Sequence, residues 1–213
     1  MFKNLVVLIP AFNEEAEIES VISGVKKFAI PLVVDDGSTD QTWSIANAAG
    51  AIVIKHAENG GYEKALETGF EYFGNSSYDY LITLDADSQH DPEMIGEFYR
   101  NLCNGAECVI GVRDKLQRTG EYIFAYVGKL AWGISDPLCG MKAYSKRCFE
   151  FKVQNQFDSI GTKYAINAVN HGLTVTQIDI ITNDRSDMPR FGTGIAANVH
   201  ILGALFKVLF CLK

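Results

Sequence analysis

From residue 4 to about residue 110, short β-branched apolar runs alternate with longer stretches whose apolar positions recur every three or four residues. The short runs read as buried strands at Leu5 to Ile9, Leu32 to Asp35, Ala51 to Ile54, Tyr80 to Leu84 and Cys108 to Ile110. The longer ones read as helices: Ile18, Val21, Ile22 and Val25 fall at i, i+3, i+4 and i+7, and Tyr62, Ala65, Leu66, Gly69, Phe70 and Phe73 repeat the stripe. Strands and helices in alternation are the mark of βαβ units. The chain is therefore predicted to be α/β, with a mostly parallel central sheet flanked by helices.

Helix starts are predicted where strands have just ended: at Asn13 before Glu14-Glu15, at Ser38 or Thr39 before Asp40, and at Asp91-Pro92-Glu93. In open α/β sheets ligands bind beyond the carboxyl ends of the strands. Pro10 to Glu15, Asp35 to Asp40 and Asp85 to His90 are thus expected to converge on one edge. After residue 111 the pattern loosens, and mixed strand and helix, with a turn at Asp136-Pro137-Leu138-Cys139-Gly140, is expected to close a pocket there. Residues 1–194 read as the main domain and 195–213 as an apolar C-terminal helix.

Composition narrows the partners. Apolar residues make up 47% and charged residues 21% of the 213, as in an ordinary globular chain. The net charge of -7, with no Lys/Arg stripe, excludes general nucleic-acid binding, so an anionic ligand must be met locally by placed cations, a metal or helix N-termini. Five cysteines without C-x-x-C spacing read as buried free thiols in a reducing compartment. The apolar run ending at Pro10 is too short for a signal sequence, which predicts a cytoplasmic protein.

The chemistry concentrates in Asp85-Ala86-Asp87-Ser88-Gln89-His90. Continued as a strand, this segment would project Asp85, Asp87 and Gln89 to one side. Three oxygen-bearing side chains suit Mg2+ or Mn2+, hard ions that keep positions open for substrate phosphates. Asp36, after a strand and before Gly37, offers a carboxylate for a base N–H or a ribose hydroxyl.

The ordered set Ile9-Pro10-Ala11-Phe12-Asn13-Glu14-Glu15, Val34 to Asp40, Asn59-Gly60-Gly61-Tyr62, Leu84 to His90 and Asp136 to Met141 resembles glycosyltransferase family 2, with its GT-A (nucleotide-diphospho-sugar transferase) fold. The D-A-D-x-Q-H form and the stretch from Asp184-Arg185 to Pro189-Arg190 are similar to dolichyl- or polyprenyl-phosphate sugar synthases and bacterial surface-polysaccharide enzymes. The resemblance implies an inverting, metal-dependent transfer of a hexose from a GDP- or UDP-sugar to a polyprenyl-phosphate or growing glycan acceptor. It assigns Pro10, Phe12, Glu14, Asp36 and Asp85 to the nucleotide sugar, Asp87 and Gln89 to the metal, and Arg113, Arg185 and Arg190 to phosphates. Asp136 becomes the general base if the acceptor is a hydroxyl; an ionised phosphate needs none.

The chain departs from the family at Lys163, where relatives carry a Glu, at Gln177-Ile178-Asp179, and in 120–132, which lacks a second phosphate-binding arginine. A non-catalytic nucleotide-sugar-binding module and a sugar nucleotidyltransferase are the alternatives. The latter would carry a Gly/Arg-rich loop where this chain has Pro10 to Glu14, and the absence of G-x-G-x-x-G there argues against a dinucleotide oxidoreductase. The tail from Ile195 to Leu212, interrupted by Asn198, His200 and Lys207, leaves two readings open. It lies on the cytoplasmic leaflet as a peripheral membrane helix, or it packs on the domain or on a second copy as a homodimer.

Overall fold

The computed structural model describes residues 1–151, 159–182 and 195–211. The strands are β1 (Leu5–Ala11), β2 (Ile30–Asp35), β3 (Ile52–Lys55), β4 (Tyr80–Thr83), β5 (Cys108–Arg113), β6 (Lys142–Ser145) and β7 (Val175–Ile180). They form one sheet in the order β3-β2-β1-β4-β6-β5-β7. β6 runs antiparallel to both neighbours and the other pairs are parallel. The helices are α1 (Ile18–Lys26), α2 (Thr42–Ala48), α3 (Tyr62–Asn75), α4 (Ile95–Cys103), α5 (Thr119–Trp132), α6 (Ile160–Asn170) and α7 (Ile195–Cys211).

Every residue of β1 is buried because the sheet is covered on both faces. Leu5, Val7 and Ile9 enter a core with α1 and α4, whereas Val6 and Leu8 enter a second core with α3 and α6. The predicted helical stripes of α1 and α3 are the buried faces of those helices. α3 approaches β1 closely at Gly69, where a Cβ would stand 2.2 Å from a Leu8 methyl. The loosely patterned 119–132 is a single helix. The C-terminal apolar segment packs on it as α7, with Ala204 and Leu205 buried in the second core.

Two of the expected helix starts sit elsewhere. α1 begins after Glu17, and Asn13, at φ 55, instead accepts from the N–H of Thr39 at 2.9 Å, tying two loops together. At α2 the capping oxygen belongs to Asp40, which accepts from Thr42 N at 2.9 Å, and not to Ser38 or Thr39. Asp91 caps the turn at Pro92–Met94 as expected, accepting from Glu93 N. Cys108, Cys139 and Cys148 are buried free thiols, but Cys103 is exposed on the last turn of α4.

Candidate active site

A cavity of about 760 Å³ opens beyond the carboxyl ends of β1, β2 and β4, a size suited to a small-molecule ligand. Pro10, Phe12 and Glu14 line it from the end of β1. Asp36 also faces it, but is 2% exposed and already engaged. Its oxygens accept from Gly60 N at 3.0 Å, Gly61 N at 2.7 Å and His56 Nδ1 at 2.7 Å. The carboxylate therefore orders the Asn59–Gly61 loop against the wall. That approach needs Gly37, at φ +74, where a Cβ would meet the Glu58 carbonyl carbon at 2.6 Å.

Asp85, Asp87 and Gln89 all line the cavity, though not by strand alternation. β4 stops at Thr83, residues 86–88 form a turn, and Ser88 adopts φ 58. The turn is held from both sides: Asp87 Oδ1 accepts from Gln89 N at 3.2 Å, and Ser88 Oγ donates to Glu17 Oε2 at 2.8 Å. Asp85 Oδ1 accepts from Tyr62 Oη at 2.8 Å. Burial, reinforced by the Asp85 charge, pushes the Tyr62 pKa well above 10.0, so the phenol stays a donor. The backbone of Gly140 lies against the other oxygen, and a Cβ there would stand 2.1 Å from Asp85 Oδ2.

His90 closes this wall. Burial holds its pKa below 6.5 against the pull of Asp85, and its Nδ1, buried with no hydrogen-bond partner, sits 3.7 Å from Asp85 Oδ2. Two carboxylates and an amide on one wall fit a hard divalent ion that leaves positions to phosphate oxygens. Among the described residues no group of three or more His, Cys, Asp or Glu side chains forms a closed metal cage.

The wall below β5 is cationic: Arg113, Lys115 and Arg118 line the same cavity. Lys115 and Arg118 carry no periodic signal in the sequence, and Arg118 lies one residue before α5. It stands just outside the 120–132 stretch in which the resemblance implies a second phosphate-binding arginine. Arg113 donates through Nε to Asp136 Oδ2 at 2.7 Å and through Nη2 to Oδ1 at 3.0 Å. Burial opposes its charge, but Asp136, with smaller contributions from Cys139 and Glu121, raises its pKa above 12.5. Asp136, expected as a general base facing the acceptor, is 2% exposed, off the cavity wall and held at both oxygens by this guanidinium. Glu121 is likewise paired, with Arg118 Nη1 at 3.0 Å.

Lys163 is buried on α6 away from the lining; burial lowers its pKa while Glu67 on α3 pulls the other way. Gln177 braces the loop before Asp136, accepting from Ser135 N at 2.6 Å and donating to Gly133 O at 2.8 Å. Neither Lys163 nor Gln177 lines the cavity. Arg185 and Arg190 lie outside the described residues.

Residues 6–150 match the family model described as Glycosyl transferase family 2. The chain is 27% identical to the polyprenol monophosphomannose synthase of Mycolicibacterium smegmatis, over 95% of this chain and 84% of that protein. It is 33% identical to the dolichol-phosphate mannosyltransferase of Pyrococcus furiosus, over 68% of this chain and 47% of that one. Among solved structures, it is similar to glucosyl-3-phosphoglycerate synthase from Mycobacterium tuberculosis in complex with Mn2+, uridine diphosphate and glucosyl-3-phosphoglycerate. That likeness has a TM-score of 0.75 at 22% identity, over 96% of this chain and 79% of the other.

Proposed function

The chain belongs to glycosyltransferase family 2 and has its GT-A fold, and from that premise we propose that it moves a hexose from a nucleoside-diphosphate sugar to a polyprenyl phosphate. The observation that carries this reading is the pairing of walls: Asp85, Asp87 and Gln89 share one cavity with Arg113, Lys115 and Arg118. Carboxylates suit a metal-bound diphosphate, and forked guanidinium donors suit a second, acceptor phosphate.

Asp87 and Gln89 would hold Mg2+ or Mn2+, with Asp85 near the ribose or a metal-bound water. The ion supplies neutralisation of the charge that gathers on the diphosphate as it leaves. Phe12 and Glu14 meet the nucleoside, and Asp36 supports them by ordering the Asn59–Gly61 loop. Arg113 and Arg118 hold the acceptor phosphate, with Arg185 and Arg190 as further phosphate contacts. One acceptor oxygen attacks the anomeric carbon as the bond to the diphosphate breaks, so the configuration inverts and the electron pair departs with the nucleoside diphosphate.

A phosphate oxygen is already ionised near neutral pH, which makes a general base unnecessary. The position of Asp136 favours this acceptor over a glycan hydroxyl, because a carboxylate clamped at both oxygens and off the wall cannot reach a hydroxyl proton. The relatives named for polyprenol- and dolichol-phosphate sugars agree with that choice. The test is incubation with UDP- and GDP-hexoses, Mn2+ or Mg2+, and a detergent-solubilised polyprenyl phosphate. Metal-dependent release of nucleoside diphosphate together with a sugar-phospholipid product is expected; no product from any donor would sink the proposal.

A further inference from the structure

Two helices beside the cavity carry most of the large exposed apolar side chains among the described residues. Tyr122, Ile123, Tyr126 and Leu130 on α5 are 42–71% exposed, and Val199, Leu202 and Phe206 on α7 are 37–63% exposed. The remaining three, Met1, Trp43 and Ile181, lie outside these two helices. Residues 122, 126 and 130 share one face of α5 and 199, 202 and 206 one face of α7. Apolar faces concentrated in this way mark an interaction surface.

We propose that the α5–α7 face is a docking surface for an anionic lipid bilayer, which sets the cavity mouth at headgroup level. The inference rests on the polyprenyl-phosphate reading of the acceptor and adds α5 as half of the surface. Charge selects the occupant. The chain as a whole carries -7, yet the exposed charges on these helices among the described residues are the cations Lys129 and Lys207. The acid of α5, Glu121, is buried and paired with Arg118. Lysines that snorkel and tyrosines with apolar rings and polar tips are the chemistry of a membrane–water interface. Among the described residues no helix is long and apolar enough to cross a membrane, which leaves the face lying on one.

Continuity with the cavity gives the docking a purpose. Arg118 and Glu121 at the start of α5, and Ile201 and Ala204 of α7, line the cavity, while the neighbouring faces of both helices expose apolar side chains. A lipid phosphate at the bilayer surface is thereby presented to Arg118, which lines the cavity at the start of α5. The pair is fixed together at Gly120, whose N–H donates to Asn198 Oδ1 at 2.8 Å and where a Cβ would stand 3.2 Å from Ile201 Cγ2. The polar Asn198 of a mostly apolar helix is thus a staple to α5.

The experiment is sedimentation of the full chain with vesicles of mixed phosphatidylglycerol and phosphatidylcholine, comparing wild type with Y126E/L130E. Both positions are exposed and off the cavity wall, so the variant should keep the wild-type thermal response to nucleoside diphosphate and Mn2+. Its vesicle partition should fall about tenfold or more, and wild type should bind pure phosphatidylcholine several times more weakly. A variant that partitions like wild type overturns the proposal, as does wild type left in the supernatant, or a wild-type dimer that Y126E/L130E dissociates. Vesicle binding is read without turnover, so absent sugar transfer would count against the acceptor reading and leave docking standing. Transfer to solubilised polyprenyl phosphate without vesicle binding would do the reverse.

Discussion

Arg113 and Asp136 form a two-point ion pair beneath the cavity wall, with Nε–Oδ2 at 2.7 Å and Nη2–Oδ1 at 3.0 Å. The fork aims the arginine and occupies the carboxylate, so on the proposed reading Asp136 acts as a positioning residue rather than a proton acceptor. Asp136→Asn keeps the shape and loses the charge. We expect its KM for the acceptor phosphate to rise about tenfold, the cost of losing a charge-assisted hydrogen bond, with a smaller change in kcat. A general base would behave otherwise: kcat would collapse and the acidic limb of the pH–rate profile would vanish. Asp136→Ala strips the part-buried guanidinium of its two-point partner, leaves Glu121 at 3.7 Å as its remaining acid, and should cost about 2–3 kcal/mol in urea unfolding.

Asp87 gives the sharpest test of the metal. Nucleoside diphosphate with Mn2+ at about 100 times Kd should stabilise wild type by about 2.7 kcal/mol through mass action. Asp87→Ala should lose the metal-dependent part of that gain while unfolding at a similar temperature without ligand. Equal Mn2+-dependent stabilisation in wild type and variant would remove Asp87 from the site.

Asp85 is held by a phenol on one side and a glycine on the other. Tyr62→Phe removes the 2.8 Å hydrogen bond and should lower kcat/KM about threefold to tenfold, the range of one neutral hydrogen bond to a charged group when solvent partly replaces it. Gly140→Ala is the harsher change, because its methyl would stand 2.1 Å from Asp85 Oδ2 and the side chain must rotate away. Donor turnover should fall at least about a hundredfold in Gly140→Ala, as for a misplaced catalytic constellation. Near wild-type rates in that variant would show that the position of Asp85 is not critical.

Much of this arrangement was readable from the chain, and the parts that were not share a cause. β1, β2, β4 and β5 are buried on both faces, so their β-branched runs mark them, and the loops after β1, β2 and β4 inherit their convergence from the sheet. Period-two alternation placed Asp85, Asp87 and Gln89 together for the wrong reason, since a turn with Ser88 at φ 58 brings them to the wall. Spacing also cannot report pairing across 23 residues. In the sequence Asp136 reads as a free acid, whereas in the fold Arg113 fills both its oxygens. A single arginine before a helix, such as Arg118, carries no pattern, and its place on the cavity wall emerges only in the fold.

The buried thiol of Cys148 sets an alkaline limit on stability. Burial pushes its pKa from 9.0 to about 12, only partly offset by hydrogen bonding with Ser145, and Sγ donates to Glu107 O at 3.0 Å. Above pH 9 the unfolded chain releases this proton while the folded chain keeps it, so the folded state binds more protons and stability falls as pH rises toward about 12. The loss should reach about 2 kcal/mol by about pH 10.5, at roughly 1.4 kcal/mol per pH unit. Lys142 works in the opposite direction, because burial lowers its pKa and unfolding then takes up a proton. Comparing wild type with Cys148→Ala cancels that contribution: the wild-type advantage in urea unfolding should shrink by about 2 kcal/mol between about pH 8 and about pH 10.5. An advantage that stays constant over that range would mean the thiol ionises as readily folded as unfolded.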